Sequence, residues 1–500
     1  MAKSFILAID QGTTGSTSLL IGKNGEAVSK VNLEFTQYYP KPGWVEHDPM
    51  EIWNCTLKTV FAALKKTGVK PSQIAAIGIT NQRETTVLWD KKTGKPIYNA
   101  IVWQCRRTAN ICDELKKAGH SKMISSRTGL VVDAYFSGTK VKWILDNVKG
   151  ARAAASKGNI SFGTIDSWLI YNLTGGKTHA IEISNASRTM LYNIKKLCWD
   201  KEILKVLNIP ESVLPEVVPS SGIIGYTNGV KGIPDGIPIA GVAGDQQAAL
   251  FGQTCFKEGS SKCTYGTGSF LLMNTGKKPV MSKSGMLTTI AWKIGGEVTY
   301  ALEGSVFICG AAIQWLRDGL QIVPNAVASE KLAASVPDTG GVYFVPALVG
   351  LGAPHWDMYA RGTIVGITRG TNRAHVTRAA LEAMCYQTRD VVDAMAKDSG
   401  IPLHSLYVDG GAVANNFLMQ FQSDVLGVAV DRPKMIETTA LGCALLAGLA
   451  VGFWPDMKAL EKARKQDKQF KPKMKVKDRE MLYNGWKRAV ERSKGWELKG

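Results

Sequence analysis

Two short segments rich in glycine and threonine are placed where they could hold phosphate groups. In the first, AIDQGTTGSTSLL at 8–20, a predicted strand ends in the carboxylate of Asp10 and a turn follows. Such a turn offers backbone N–H groups and hydroxyls to phosphate oxygens, and the carboxylate can hold hydrated Mg²⁺. The segment lacks the G-x-x-x-x-G-K pattern of a Walker A loop. It predicts a phosphate site, with a plain hairpin turn as the alternative.

The second segment is TYGTGSFLLMN at 264–274, and it repeats the same arrangement later in the chain. Gly266, Thr267 and Gly268 would permit a phosphate to approach the backbone closely. Two such turns that face each other could clamp a nucleoside triphosphate between them. Taken alone, this segment is explained equally well by an ordinary tight turn.

A third glycine-rich turn could hold a nucleobase. In YVDGGAVANN, at 407–416, a predicted strand ends in Asp409-Gly410-Gly411 and a helix opens at the asparagine pair. Glycine there would let a flat adenine lie against the backbone, and Asn415 could hydrogen-bond the base or the ribose. An Asp-Gly-Gly turn is common and is by itself no evidence for a nucleotide.

A set of polar and aromatic side chains follows predicted strands in the first half of the chain. Open α/β sheets bind their ligands at strand ends of this kind. Arginine–carboxylate pairs between aromatic walls suit a small polyol, because each hydroxyl needs a donor and an acceptor. A surface salt bridge beside core aromatics is the alternative. The set consists of Arg83, Glu84, Trp103, Tyr135, Asp245 and Gln246.

The elements that must position these residues alternate between strands and helices, which predicts an α/β fold around a buried sheet. The Pro-, Gly- and Ser-rich segment 219–238 is predicted to be a surface connection. The strand after it delivers Asp245 to the start of a helix. The predicted strands are 3–9, 17–21, 74–80, 85–89 and 239–243, and the predicted helices are 50–66, 139–147 and 164–173.

The second half of the chain begins like the first. A strand at 261–265, a turn at 266–269 and a returning strand at 270–274 repeat the order of residues 3–21. This internal echo predicts two related halves that face each other, with a boundary near 250–255. A further strand is predicted at 406–408, and helices are predicted at 415–426, 439–451, 458–465 and 479–494.

The length and the net charge of the chain limit the number of domains and the kinds of partner that we expect. With 500 residues the chain is too long for one core. The net charge is +19, and residues 457–500 carry 15 Lys/Arg against 6 Asp/Glu. Because motifs for nucleic-acid binding are missing, a solvated face that attracts anionic nucleotides is favoured over nucleic acid or a membrane surface.

The cysteines and the apolar segments indicate the cellular compartment in which the protein is expected to work. The nine cysteines are scattered without a C-x-x-C pair, which predicts reduced, mostly buried thiols. The N-terminus resembles no export signal, and the longest apolar run, 440–454, is too short to span a bilayer. We therefore expect a cytoplasmic protein without membrane partners.

Taken in order, these strings resemble the FGGY family of carbohydrate kinases, over nearly the whole chain to about residue 455. One family signature fits Y-x-S-x-x-K-V-x-W at 135–143, and the second fits 362–382. The stretches at 38–53, 75–86 and 94–108 are similar to the branch of the family that phosphorylates glycerol. The resemblance implies two ribonuclease H-like, actin-like ATPase domains, 1–252 and 253–500, with an interdomain cleft.

The resemblance also implies ATP and Mg²⁺ as cofactors and glycerol as the substrate. Asp245 would be the catalytic base, Asp10 would hold the metal, and domain closure would exclude water. The glycerol pocket would be formed by Arg83, Glu84, Trp103, Tyr135, Asp245, Gln246 and Phe270. ATP would be held by Thr13, Thr14, Gly15, Gly266, Thr267, Gly310, Gln314, Gly411 and Asn415.

Three features depart from the family pattern. Thr17 stands where the family usually has arginine, so one cation near the phosphates is missing. The connection 229–241 lacks the arginine and the histidine through which some relatives are regulated, and the tail past 465 is unusually basic. These departures leave two alternatives to a glycerol-phosphorylating enzyme: a kinase for another polyol or sugar, and a silent or nucleic-acid-binding relative.

We expect the protein to form a homo-oligomer, either a dimer or a tetramer.

Overall fold

The computed structural model describes residues 4–497, in which helices surround a mixed sheet. The strands are β1 Phe5–Gln11, β2 Gly15–Gly22, β3 Ala27–Glu34, β4 Glu46–His47, β5 Ile74–Asn81, β6 Val87–Asp90, β7 Ala100–Ile101, β8 Ile160–Gly163, β9 Ala180–Glu182, β10 Tyr192–Asn193, β11 Cys198–Trp199, β12 Glu216–Val218, β13 Ser221–Tyr226, β14 Pro238–Gly244, β15 Ser261–Tyr265, β16 Ser269–Gly276, β17 Leu287–Ile294, β18 Glu297–Val306, β19 Tyr343–Val345, β20 Thr363–Val365, β21 Ser405–Asp409, β22 Ala429–Pro433 and β23 Gln466–Phe470. The helices are α1 Pro49–Thr67, α2 Ala109–Lys117, α3 Ser121–Thr128, α4 Ser137–Asn147, α5 Ala151–Ser156, α6 Ile165–Leu173, α7 Ile183–Ala186, α8 Lys201–Leu207, α9 Asp245–Gly252, α10 Gly310–Asp318, α11 Ala328–Ala334, α12 Arg373–Ser399, α13 Asn416–Leu426, α14 Thr438–Ala450, α15 Met457–Ala463 and α16 Val476–Ser493.

The main sheet runs through both halves of the described chain in the order β23-β22-β21-β15-β16-β18-β17-β13-β14-β5-β1-β2-β3. In the first half, β1 pairs antiparallel with β2 and parallel with β5, which pairs parallel with β14. In the second half, β15 pairs in the same way with β16 and β21, and β21 pairs parallel with β22. The duplicated order is that of two ribonuclease H-like units, so the predicted α/β fold and the internal echo are confirmed.

Helix α14 joins the two halves although it lies late in the chain. Its almost uninterrupted apolar sequence is buried against β1, β5 and β14 of the first half. The approach requires glycine on the strands, because a Cβ at Gly78 would lie 2.4 Å from the carbonyl oxygen of Cys443. A Cβ at Gly241 would lie 2.1 Å from the backbone nitrogen of Ala447. Sequence position alone therefore does not separate the cores of the two halves.

The segment 219–238 is only partly the surface connection that its composition predicts. Within it, β13 lies inside the main sheet, between β17 and β14. Ser221 is paired with Gly241 on one side and with Ile294 on the other. The prediction is wrong for β13 because pairing on two sides overrides the weak strand propensity of SGIIGY.

The basic tail, from residue 457 onward, packs against the second half more closely than its charge predicts. Both predicted helices are present as α15 and α16, and the unpredicted strand β23 between them pairs with β22. The side chains of Tyr483, Trp486 and Val490 on α16 are buried in the core of the second half. Most of the tail lysines in the described residues are exposed, whereas one side of α16 is buried.

The strand predicted from residue 3 begins at Phe5 in the described part of the chain and continues through Asp10 to Gln11; Lys3 lies outside that part. All nine cysteines are free, and Cys198 is the exposed one. Between residues 4 and 497, no helix has the length and apolar character needed to cross a bilayer.

Candidate active site

Asp245 is the first residue of α9 and directly follows the buried strand β14. Its side chain is 33% exposed, and its Oδ1 lies 3.1 Å from Nε of Arg83. The backbone N–H of Gln246 donates to the same oxygen at 2.7 Å. Because both contacts fall on Oδ1, the carboxylate is held in place while Oδ2 is left for a ligand.

Arg83 and Glu84 belong to a network of four charged side chains, none more than 2% exposed. Arg83 makes paired hydrogen bonds to Glu303 of β18, at 2.5 and 3.0 Å. Arg188 donates from Nε to Glu84 at 2.7 Å and from Nη2 to Glu303 at 3.0 Å. Two arginines face two glutamates, so their formal charges balance. It also joins the halves, because Glu303 belongs to the second.

Burial and charge act differently on the two glutamates of this network. Burial opposes ionisation of Glu303, but Arg188 and Arg83 outweigh it and lower its pKa to about 2. At Glu84 burial is the stronger effect and raises the pKa, although Arg83 and Arg188 oppose it. Glu84 also has a φ of 60°, a left-handed conformation that is uncommon for glutamate. Such strain is concentrated at functional sites.

Trp103 and Tyr135 form an aromatic wall beside this network. Their ring centroids are 5.6 Å apart in an edge-to-face arrangement, and the guanidinium of Arg188 lies 5.8 Å from the Tyr135 ring. The indole Nε1 of Trp103 donates to Oγ1 of Thr13 at 3.0 Å. The predicted polyol wall is thereby in contact with the first phosphate turn.

The first turn connects β1 to β2. Asp10 is opposite Thr17 on β2 and Thr80 on β5. Burial, followed by the carboxylates of Asp245 and Glu437, raises the pKa of Asp10 to about 7. The carboxylates of Asp245 and Glu437 are therefore near enough to Asp10 to disfavour its ionisation.

The other predicted residues of the turn differ in exposure. Thr14 is exposed and accepts a hydrogen bond from the backbone of Phe35 at 3.3 Å. Gly15 is buried, and a Cβ there would lie 2.6 Å from the carbonyl oxygen of Leu33. Gly15 is therefore required for strand packing, whatever it contributes to a ligand.

The second turn, between β15 and β16, is attached to the start of α10. The backbone N–H of Gly310 donates to the carbonyl of Gly266 at 2.9 Å, and that of Cys309 donates to Thr267 at 2.9 Å. A Cβ at Gly310 would lie 2.6 Å from the Gly266 oxygen. Gly266, Thr267 and the side of α10 that carries Gln314 are exposed, so they are open to a ligand.

The third turn follows β21. Gly410 has a φ of 92°, and a Cβ there would meet the carbonyl oxygen of Tyr265 at 2.5 Å. Gly411 faces open space, so a flat group has room beside it. Asn415 caps α13 by accepting from the N–H of Leu418 at 2.9 Å, and its Nδ2 lies 3.5 Å from Ser329. Its side-chain oxygen is therefore already engaged by the helix.

Gln246 and Phe270 lie at the junction of the halves. Lys262, a fully buried residue of β15, donates to Oε1 of Gln246 and, at 2.8 Å, to Oγ1 of Thr264. Phe270 is half-buried on β16, directly opposite Thr264. These contacts place Gln246 beside Asp245 on one side and beside the second phosphate turn on the other.

Sequence reasoning missed Arg188, Glu303 and Lys262. Glu303 and Lys262 are charged residues inside otherwise uncharged, largely buried strand segments, YALEGSV and SKCTY. Charged side chains are almost never fully buried unless they are paired. A charge within a predicted buried strand was thus the available signal, although it does not identify the partner.

The carboxylates suit a hard cation that is shared with phosphates. In the described part of the chain, no group of three or more His, Cys, Asp and Glu side chains could hold a metal. Mg²⁺ is usually bound through one or two carboxylates together with substrate phosphates and water. Asp10, which lies just before the first turn and close enough to Asp245 to interact with its charge, fits that description. Thr17 supplies no charge; its hydroxyl accepts from Asn32 at 2.9 Å.

Comparison with known proteins identifies the family. The model of the FGGY carbohydrate kinase N-terminal domain matches residues 5–252, and that of the C-terminal domain matches 261–451. Glycerol kinase 2 of Thermotoga maritima is 64% identical over 494 residues, covering 99% of both chains. A glycerol kinase of Caldanaerobacter subterraneus is 65% identical over 497 residues, again covering 99% of both.

A solved structure agrees with these relatives. The crystal structure of Plasmodium falciparum glycerol kinase with ADP superimposes with a TM-score of 0.93 at 38% identity, covering 98% of each chain. Both family models and both full-length relatives point to the same family, and the solved structure has the same fold. The chain belongs to the FGGY family of carbohydrate kinases.

Proposed function

We propose that the protein transfers the γ-phosphoryl group of ATP to a terminal hydroxyl of glycerol, giving sn-glycerol 3-phosphate. The full-length relatives at 64–65% identity are named glycerol kinases. The observation that carries the proposal is the position of Asp245, a partly exposed carboxylate held by Arg83 at 3.1 Å. Among open α/β sheets, this strand end is where a ligand binds.

The polyol is held by residues of both halves. Arg83 and Glu84 bind the hydroxyls that do not react, because their buried network fixes their positions. Trp103, Tyr135 and Phe270 cover the carbon atoms, and Gln246 supplies a further polar contact. This division gives each hydroxyl both a donor and an acceptor.

Asp245 is the general base. Its Oδ1 is occupied by Arg83 and by the backbone of Gln246, so we assign Oδ2 as the atom that accepts the proton of the attacking hydroxyl. Base catalysis of this type contributes roughly 10²–10⁴ in rate. Alignment of the two substrates contributes more, about 7–11 kcal/mol.

The triphosphate lies between the two turns, and the nucleoside lies toward the second half. Asp10 would hold Mg²⁺, and the ion would supply positive charge to offset that of the phosphates. Exposed backbone at the turns and open space beside Gly411 support this placement. The residues assigned to ATP are Thr13, Thr14, Gly15, Gly266, Thr267, Gly310, Gln314, Gly411 and Asn415.

We also propose a domain division, an oligomeric state and a cellular compartment for the protein. The chain divides into an N-terminal domain, 1–252, and a C-terminal domain, 253–500, that close over the substrates and exclude water. The protein forms a homo-oligomer, a dimer or a tetramer. It works in the cytoplasm, which is supported by nine free cysteines.

An ADP-release assay with glycerol, xylulose, gluconate or no acceptor tests the function. We expect turnover with glycerol to exceed that with the other acceptors by at least about a hundredfold, since a site built to hydrogen-bond one polyol rejects poorly matched ones. Turnover that is independent of glycerol, or highest with another acceptor, would contradict the proposal.

A further inference from the structure

Lys262 is a buried cation whose acceptors are neutral. It lies on β15, and none of its surface is exposed. Its Nζ donates to the amide oxygen of Gln246 and to the hydroxyl of Thr264. Within residues 4–497 it forms no ion pair. A buried ammonium without a carboxylate partner is costly, so stability does not explain the presence of Lys262 at this position.

The contact with Gln246 determines which way the Gln246 amide points. Lysine has three N–H donors and no acceptor, whereas a glutamine amide has one oxygen and one –NH₂ group. The oxygen of Gln246 must therefore face Lys262. Turning the amide over would bring its –NH₂ group against an ammonium that cannot accept a hydrogen bond.

We infer that Lys262 is a positioning residue that holds the –NH₂ group of Gln246 toward the polyol. The inference rests on the proposed function. Gln246 is half-buried and adjacent to Asp245, whose Oδ1 accepts the Gln246 backbone N–H at 2.7 Å. The site then offers an acceptor at Asp245 and a donor at Gln246, side by side.

A donor beside an acceptor suits two neighbouring hydroxyls. The hydroxyl that reacts gives its proton to Asp245, and the next hydroxyl accepts a hydrogen bond from Gln246. Because Lys262 belongs to the second half and Gln246 to the first, this polarity exists only while the halves are in contact. Lys262 thus determines specificity without touching the substrate.

Three variants test this inference: Lys262→Met, Gln246→Ala and the double variant. We expect Lys262→Met to raise KM for glycerol about tenfold, the effect of one lost hydrogen bond of about 1.4 kcal/mol, while KM for ATP changes less than about twofold. In the Gln246→Ala background, Lys262→Met should raise KM for glycerol by less than about twofold further. A full effect in that background, or an equal change in both KM values, would overturn the inference.

Thr264→Val is the matched control, because it removes the other acceptor of the same ammonium and leaves the Gln246 contact. Its KM for glycerol should stay within about twofold of the wild-type value. A tenfold rise would overturn the inference, because the Gln246 contact would then not be the specific cause of the effect on glycerol. Thermal unfolding establishes that each variant is folded.

Gln246→Glu is a second test that does not depend on Lys262→Met folding. It gives Lys262 an ion pair, so the variant should be at least as stable as the wild type, but it presents an acceptor instead of –NH₂ to the polyol. We expect KM for glycerol to rise at least about tenfold. An unchanged KM would overturn the inference. Wild-type turnover with glycerol, measured alongside, tests the proposed function separately.

Discussion

Nε of Arg83 lies 3.1 Å from Oδ1 of Asp245, and this contact connects the buried charge network to the reactive end of the site. Arg83 is held in turn by two hydrogen bonds to Glu303, which lies 220 residues away in the other half. The orientation of the proposed base therefore depends on the relative position of the halves. In the proposed mechanism, closure of the halves would therefore orient the base directly.

Replacing Asp245 by asparagine tests the base. Asparagine is similar in size and is well accepted near a helix N-terminus, so we expect the variant to fold normally. Since an amide cannot accept the proton, kcat should fall by about 10²–10⁴. The comparison is Asp318→Asn, an exposed aspartate paired with its neighbour Arg317, which should leave kcat unchanged. An Asp245→Asn enzyme that keeps most of its kcat would refute the assignment.

Glu303→Gln tests the charge network. Removing one partner of a buried ion pair typically costs about 3–5 kcal/mol, because the arginines are left uncompensated. We expect a lower midpoint in urea unfolding and also a raised KM for glycerol, since Arg83 loses its anchor. Steady-state kinetics with unfolding on the same samples would measure both effects.

The control for that variant is Glu46→Gln. Glu46 accepts from Arg107 at 2.7 Å in a second buried pair that makes no contact with the proposed substrate residues. It should lower stability without raising KM for glycerol. If both variants changed KM equally, the network would have no special connection to the polyol.

Gly310→Ala tests the attachment of α10 to the second turn. A methyl group would lie 2.6 Å from the carbonyl oxygen of Gly266, so the turn must shift. We expect KM for ATP to rise about tenfold or more, with less effect on glycerol, because the shift moves phosphate-binding groups. Gly296→Ala, where a Cβ would meet no atom within 4 Å, should be neutral. Equal KM values for ATP in the two variants would contradict this role.

The local sequence was sufficient to predict a feature where all the informative residues lie in one short segment. The position of Asp245 at a strand-to-helix junction was predicted correctly because an apolar strand, a glycine and a helix start follow one another in IAGVAGDQQAA. The two turns that we propose for phosphate binding were predicted because their glycines and threonines are contiguous. The duplication of the fold was found because residues 3–21 and 261–274 repeat the same short pattern.

Contacts between residues that are far apart in the chain could not be predicted from local sequence in the same way. Glu303 and Lys262 acquire their roles from Arg83 and Gln246, which lie in the other half of the fold. Segment β13 was misread because its strand character comes from its neighbours in the sheet and not from its own composition. In each case the information lies in a pair of segments that a local pattern does not connect.

His47→Gln tests how burial affects stability in acid. Burial lowers the pKa of His47 from 6.5 to about 4, although Glu51 opposes the shift. Between these pH values the unfolded chain binds the proton more readily than the folded chain. The contribution to stability is therefore fully present above pH 6.5 and is lost as the pH falls toward 4, by about 2–3 kcal/mol. Glutamine does not titrate and can retain the hydrogen bond to Gln37.

The measurement is urea unfolding of the wild type and of His47→Gln at pH 7 and pH 4.5. Other buried groups titrate in this range, so the informative quantity is the difference between the two proteins in the stability that each loses on acidification. We expect the wild type to lose about 2–3 kcal/mol more than the variant. His404→Gln, at an exposed histidine, should match the wild type. Equal losses in the wild type and His47→Gln would mean that His47 is not held neutral by the fold.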